Sequence, residues 1–251
     1  MVIVAVANQK GGVGKTTTAC TLAHGLALKN CNTLLVDLDP QGQCASHLGM
    51  DREDGVFGLL VNGPALRDVV RTTGRGNLWL LPGSKRTKTA ESVMVMERRG
   101  VGTLAAILTE RVNGDRLHYL VLDTAPSAGG LQENALFAAD VLIVPSAVDH
   151  LSLEGVAEIL KTLKALRRSS PPLVRILPTF FDEVTRESRT NLGRLREAFG
   201  EGVVMAPVHR AAVLRECPAV GKTIFEHGPE SRAAREYGAV TWGVLDATRT
   251  G

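Results

Sequence analysis

The segment that most constrains this chain is its first turn. An apolar run, Val2–Ala7, leads into Gln9-Lys10-Gly11-Gly12-Val13-Gly14-Lys15-Thr16-Thr17, and a helical stretch, Gly14–Lys29, starts there. Strand, glycine-rich turn, Lys-Thr and helix in that order are the context a phosphate-binding loop requires. The N–H groups of such a turn and the positive end of its helix surround a phosphate chain. The expected contacts are Lys10, Gly11, Gly12, Val13, Gly14, Lys15, Thr16 and Thr17. Lys15 reaches the β- and γ-phosphates, the Thr16 hydroxyl ligates Mg²⁺, and Thr17 meets the α-phosphate. Gln9 stands where the general pattern has its first glycine, and the additional Lys10 marks a distinct subclass. A second Gly-Lys-Thr, at 221–223, has no strand or glycine turn before it and reads as structural.

Short Val/Ile/Leu runs alternate with amphipathic stretches along the rest of the chain. This predicts βαβ units and a mostly parallel twisted sheet of about seven to eight strands, with helices on both faces. Strands are expected at Val2–Ala7, Thr33–Asp37, Leu78–Leu81, Tyr119–Asp123, Val141–Pro145 and Val174–Pro178, with a weaker one at Val203–Ala206. Helices are expected at Gly14–Lys29, Leu131–Ala138, Ser152–Arg168, Glu187–Phe199 and Glu230–Leu245, and two short ones around Gly100 and Gly102. In the third, Val156, Ile159, Leu160, Leu163 and Leu166 form one apolar stripe. Ser169-Ser170-Pro171-Pro172 reads as a helix-to-strand turn. No repeat or linker divides residues 1–251, so one α/β domain is expected.

Two predicted strands end in acids. Thr33–Asp37 runs into Asp37-Leu38-Asp39-Pro40, where period-two alternation sends Asp37 and Asp39 to one side. Ligands bind at the carboxyl ends of strands in open α/β sheets. Asp39 is the candidate to position and deprotonate the attacking water and is also a candidate metal residue with Thr16 and Asp123, and Asp123 is expected to hold Mg²⁺ through water.

Composition narrows the choices. No apolar stretch is long enough to span a bilayer and the first run lacks a basic leader, so a soluble cytoplasmic protein is expected. Cys20, Cys31, Cys44 and Cys217 form no Cys-x-x-Cys pair and read as incidental thiols, and the six histidines have no zinc-ligand spacing. Aromatic residues make up only 4%, which argues against base stacking as the main chemistry. The net charge of +3 divides unevenly. Residues 1–160 hold 14 Lys/Arg against 16 Asp/Glu (−2), and residues 161–251 hold 15 against 10 (+5).

Taken together, Lys10-Gly-Gly-Val-Gly-Lys-Thr-Thr17, Asp37-Leu-Asp-Pro-Gln-Gly42 and Leu122-Asp-Thr-Ala-Pro126 resemble the ParA/MinD branch of deviant Walker A P-loop ATPases. Leu177-Pro-Thr-Phe-Phe-Asp182, Glu216–Ile224 and Pro229–Tyr237 narrow the resemblance to ParA-type partition ATPases, and it runs from Met1 to about Leu245. The resemblance implies an ATPase with ATP and Mg²⁺ as cofactors and Lys10, Lys15 and Asp39 as its catalytic residues. It implies an ATP-sandwich homodimer in which Lys10 crosses to the partner's phosphates. Thr179, Phe180, Pro207 and Val208 would lie near the adenine. It further implies non-specific DNA binding on the nucleoid and slow hydrolysis accelerated by a ParB-like protein. Relatives often carry DNA-contacting arginines where Val184 and Val213 stand here, so Arg186, Arg189, Arg210 and Arg215 are the candidates instead. The chain starts on its first strand, so no operator-binding domain is expected, and no water-orienting glutamine stands out.

Three rival readings share the core. A MinD-like membrane ATPase would end in a basic amphipathic helix, whereas Tyr237–Gly251 carries only Arg249 and reads as a core-packing helix with Trp242, Val244 and Leu245. Iron–sulfur carriers would need cysteines in the loops after Asp123 and within Ser84–Val112, and there are none. Positioning of a protein cargo, such as a carboxysome or chemoreceptor array, uses the same residues and is not separated by sequence.

Overall fold

The computed structural model describes residues 1–63, 65–112, 117–149, 152–167 and 170–249. Arg168 and Ser169, expected at a helix end and a turn, lie outside the described residues, as do Thr250 and Gly251 of the tail.

The strands are β1 (Val2–Val6), β2 (Thr33–Asp37), β3 (Arg71–Thr72), β4 (Leu78–Leu81), β5 (Tyr119–Asp123), β6 (Val141–Ala147) and β7 (Leu173–Thr179). They form one seven-stranded sheet in the order β3-β4-β2-β5-β1-β6-β7. Every pairing is parallel except β3 with β4. β1, β2 and β5 are buried almost throughout, which explains their unbroken apolar sequences.

Among the helices, α1 is Lys15–Leu28, α2 Gln43–His47, α3 Gly55–Phe57, α4 Leu66–Val69, α5 Arg86–Met96 and α6 Thr103–Val112. They continue as α7 (Gly130–Ala138), α8 (Ser152–Leu166), α9 (Arg186–Phe199), α10 (Ala212–Glu216), α11 (Ile224–His227) and α12 (Arg232–Arg249). One apolar layer joins the sheet to α5 through α9, with Leu122, Leu142, Val156, Ile159 and Leu195 at its centre. The other joins it to α1, α2, α11 and α12 through Leu22, Leu26, Val121, Tyr237 and Val244. α1 is therefore sandwiched between the sheet and α12, and Thr18 Oγ1 meets the Tyr237 hydroxyl at 3.1 Å.

Three expectations need correction. Val203–Ala206 makes only isolated bridges: Val204 pairs with Ile176, but Pro207 lacks the N–H needed to extend a ladder. β3, a two-residue antiparallel edge, is too short to leave an apolar pattern. Trp242 is not a core residue; it is 49% exposed, with Lys29 and Arg249 over its ring, while Val244 and Leu245 are buried. The second Gly-Lys-Thr is structural as read: Thr223 caps α11 in a reciprocal box with Glu226, and Gly221 packs against Gly49.

Gly83, just after β4, fixes the loop that follows β2. A Cβ there would lie 2.4 Å from the Asp37 carbonyl oxygen and 3.0 Å from that of Asp39. Gly83→Ala should therefore destabilise the chain by about 1–3 kcal/mol, as overpacking does. Urea denaturation of the variant against the parent measures this.

Candidate functional site

The site lies where β1, β2 and β5 end. Gly12 and Gly14 adopt left-handed φ angles of 73° and 85°, a conformation that only glycine holds without strain, and Gly14 begins α1. The turn is pinned from three sides. Asn8, buried, accepts the Lys10 N–H on Oδ1 at 2.9 Å and donates from Nδ2 to the Pro145 carbonyl at 2.8 Å. Thr179 Oγ1 donates to the Val13 carbonyl at 3.0 Å. Lys15 Nζ donates to the Lys10 carbonyl at 2.8 Å.

Lys15 is buried at 7% exposure, and burial lowers its pKa against the opposing pull of Asp123 and Asp39. The β2–β5 register sets Asp37 directly beside Asp123, and both are fully buried. Desolvation pushes Asp123 up to about 7, although hydrogen bonds from Thr16 and Cys44 and the charge of Lys15 oppose the rise. Asp37 is also raised well above the usual carboxylate range, first by burial and then by Asp123.

The strand ends at Asp37, so Asp39 lies in the loop just beyond it, and its charge acts on Asp37, Asp123 and Lys15. Asp37 accepts the N–H groups of Asp39 and Cys44 and so folds the loop into α2. Asp39 accepts the Gln41 N–H at 2.8 Å and lines a cavity of about 280 Å³ with Pro126, Lys88, Glu91 and Gln132.

A second hollow of about 290 Å³ opens beyond Gly14 and Thr17, lined by Thr179, Phe180, Val208, Arg210 and Arg215. Phe180 holds a φ of 53° and sets its ring 3.8 Å from where a Gly14 Cβ would be. Pro207 is not among its lining residues. Of the proposed DNA contacts, Arg210 and Arg215 thus border this hollow, Arg189 donates to the Glu183 and Val184 carbonyls, and Arg186 is exposed at the start of α9.

Sequence reasoning missed Asn8, Asp149 and Gln132. Asn8 and Asp149 sit just past β1 and β6, where the strand-end rule would have found them. Gln132, on α7, is buried and donates to the Ala125 carbonyl at 3.0 Å, while its Oε1 has no partner. Gln132 lines the cavity beside Asp39 and is reached only by the chain's return after Asp123.

The donor set fits Mg²⁺. Asp123 Oδ1 is buried without a hydrogen-bond partner, and Thr16 bonds the same carboxylate. Fold and site define a P-loop nucleotide-binding protein with an extra lysine in the loop.

Comparison with known proteins agrees. Residues 1–176 match the family model described as an AAA domain. The chain is 40% identical over 237 residues to the chromosome-partitioning ATPase Soj of Thermus thermophilus, covering 93% of this chain and 91% of that one. It is 32% identical to the chromosome partitioning protein ParA of Myxococcus xanthus, covering 94% and 84%. Among solved structures, cobyrinic acid a,c-diamide synthase from Mycobacterium smegmatis with a bound ATP analogue and magnesium superposes with a TM-score of 0.83 at 29% identity, covering 98% and 94%. The chain belongs to the Soj/ParA family of chromosome-partitioning ATPases. It is a P-loop ATPase, and its cofactors are ATP and Mg²⁺.

The raised pKa of Asp123 gives a signed prediction. Between the ordinary aspartate value and about 7 the folded chain holds a proton that the unfolded chain has released, so stability falls as pH rises through that window. Asp123→Asn should flatten this dependence, as read from melting temperature against pH without nucleotide. An unchanged slope would mean that Asp123 is ionised in the folded chain.

Proposed function

We propose that Mg-ATP draws two copies of the chain together, that the pair binds DNA non-specifically, and that slow hydrolysis resets it. On this reading residues 1–251 act as one ATPase domain. Lys15 neutralises the β- and γ-phosphates, and the turn from Lys10 to Thr17 wraps the phosphate chain. Thr16 and Asp123 would hold the Mg²⁺, which supplies charge neutralisation at the phosphates. Asp39 positions and deprotonates the attacking water. Thr179, Phe180 and Val208 support the base; Thr179 does so indirectly, since its hydroxyl is engaged by Val13.

One observation carries the dimer. Lys10 belongs to the phosphate loop, yet its Nζ binds both Asp149 oxygens, at 2.8 and 2.6 Å. This pair is half-exposed, at 28% and 39%, so the ammonium can be handed to a phosphate on a facing subunit with little desolvation to overcome. A cation supplied from across an interface stabilises charge on the transferring phosphoryl group.

DNA binding is supported by the +5 excess of residues 161–251 and the exposure of Arg186, Arg210 and Arg215. Membership of the Soj/ParA family supports nucleoid association in the cytoplasm and stimulation by a ParB-like protein. Among the described residues no helix is long and apolar enough to cross a membrane.

Three substitutions test these roles. Lys15→Ala should abolish ATP-dependent dimerisation in light scattering. Lys10→Ala should keep most ATP affinity and lose turnover by about 10³-fold, the scale of a cation supplied in trans. Asp39→Ala should hydrolyse at least about 10²-fold more slowly and hold DNA with ATP in gel shifts, with affinity falling as salt rises. Wild-type turnover in the Asp39 variant would remove that residue from the chemistry.

A further inference from the structure

Beneath the phosphate loop, α1, β2, α2 and β5 bring two thiols and two carboxylates into one dry cluster. Cys44 Sγ donates to Asp123 Oδ2 at 3.4 Å. Cys20, four residues after Thr16 on α1, neighbours Cys44, and each thiol acts on the other's titration. One ligand atom each from Asp37, Cys44 and Asp123 lies within 4.8 Å of the others. Cys20 is 2% exposed and the other three are fully buried. The remaining oxygen of Asp123 has no hydrogen-bond partner.

Sequence spacing gives no sign of this cluster, because its members are far apart in the chain and include no Cys-x-x-Cys. The fold supplies the geometry. A tetrahedral ion with metal–sulfur and metal–oxygen bonds of about 2.3 and 2.0 Å needs a sulfur–oxygen edge of about 3.5 Å. The Cys44–Asp123 separation of 3.4 Å already matches that edge. Two buried carboxyls side by side resist losing their protons, and a dication bound between them favours that loss. Thiolate ligands favour soft ions over Mg²⁺, which prefers oxygen alone.

We propose that this cluster is a soft-cation site for Zn²⁺ or Cd²⁺, with Cys44 and Asp123 as its core ligands and Cys20 and Asp37 completing them. Its occupation takes Asp123 away from Mg²⁺ and stops turnover. Burial pushes both thiols up, so each is neutral before the ion arrives. Entry of the ion puts metal–ligand bonds in place of the two S–H protons and of any proton held on Asp37 and Asp123, and all of these protons leave to solvent.

The test is a Cd²⁺ titration of the nucleotide-free, full-length chain, followed by ultraviolet cadmium–thiolate charge-transfer absorption. One equivalent should saturate the band, and a Cys31→Ser/Cys217→Ser double variant should keep it. Cys44→Ser should lose it, and Cys20→Ser should lose or halve it, which gives a second reading if the first variant folds poorly. Zn²⁺ in slight excess over protein should cut Mg-ATP turnover at least about tenfold in the parent and leave Cys44→Ser unaffected. Absence of the band in the parent overturns the proposal, as does a band that survives both Cys44→Ser and Cys20→Ser. Equal zinc inhibition of parent and Cys44→Ser would show that the metal acts through the nucleotide instead.

Discussion

One buried lysine and the carboxylates gathered around it organise the site. Lys15 is drawn under its own loop by the Lys10 carbonyl, and Asp123 and Asp39 both act on its charge. The sheet makes this unavoidable: β1 lies next to β5 and β5 next to β2, so the loop after β1 and the acids ending β2 and β5 meet at one edge. Desolvated charges of this kind are costly unless paired. Mg-ATP brings an anion to Lys15 and a cation to the acids of the same hollow.

Much of this was legible in the chain. β1, β2, β4 and β5 leave continuous Val/Ile/Leu runs because helices cover both faces, and the glycine turn declares its own geometry. α8 was readable from the period of Val156, Ile159 and Leu163, all of which are buried. What escaped was set by long-range contact. The stretch from Gln43 to Val69 breaks into short helices held by Gly55 against Pro82 and by Gly83 against the β2 loop, and none of it has a period. Gln132 and the Cys20–Cys44 contact depend on how separate elements return to the site, which no spacing records. β2 stops at Asp37, so Asp39 is placed by the loop rather than by the strand's period.

The two lysines of the loop divide the work by direction. Lys15 faces inward and is fixed by burial. Lys10 has its backbone locked by Asn8 and its ammonium held at the surface by Asp149. A residue so placed is rigid at the root and exchangeable at the tip, as a contact made across an interface requires. On the proposed reading, the basic C-terminal third lies on the same chain as an ATP-controlled pairing surface, so nucleotide state and avidity for a polyanion would be linked by mass action.

The central claim is that nucleotide held by the first turn joins two chains. Sedimentation velocity of the wild-type chain with saturating Mg-ATP tests it most directly, with occupancy confirmed by calorimetry and Lys15→Ala as the control. A species of twice the monomer mass, absent with ADP and absent in the variant, is the expected result. A fully loaded chain that sediments as a monomer would contradict it.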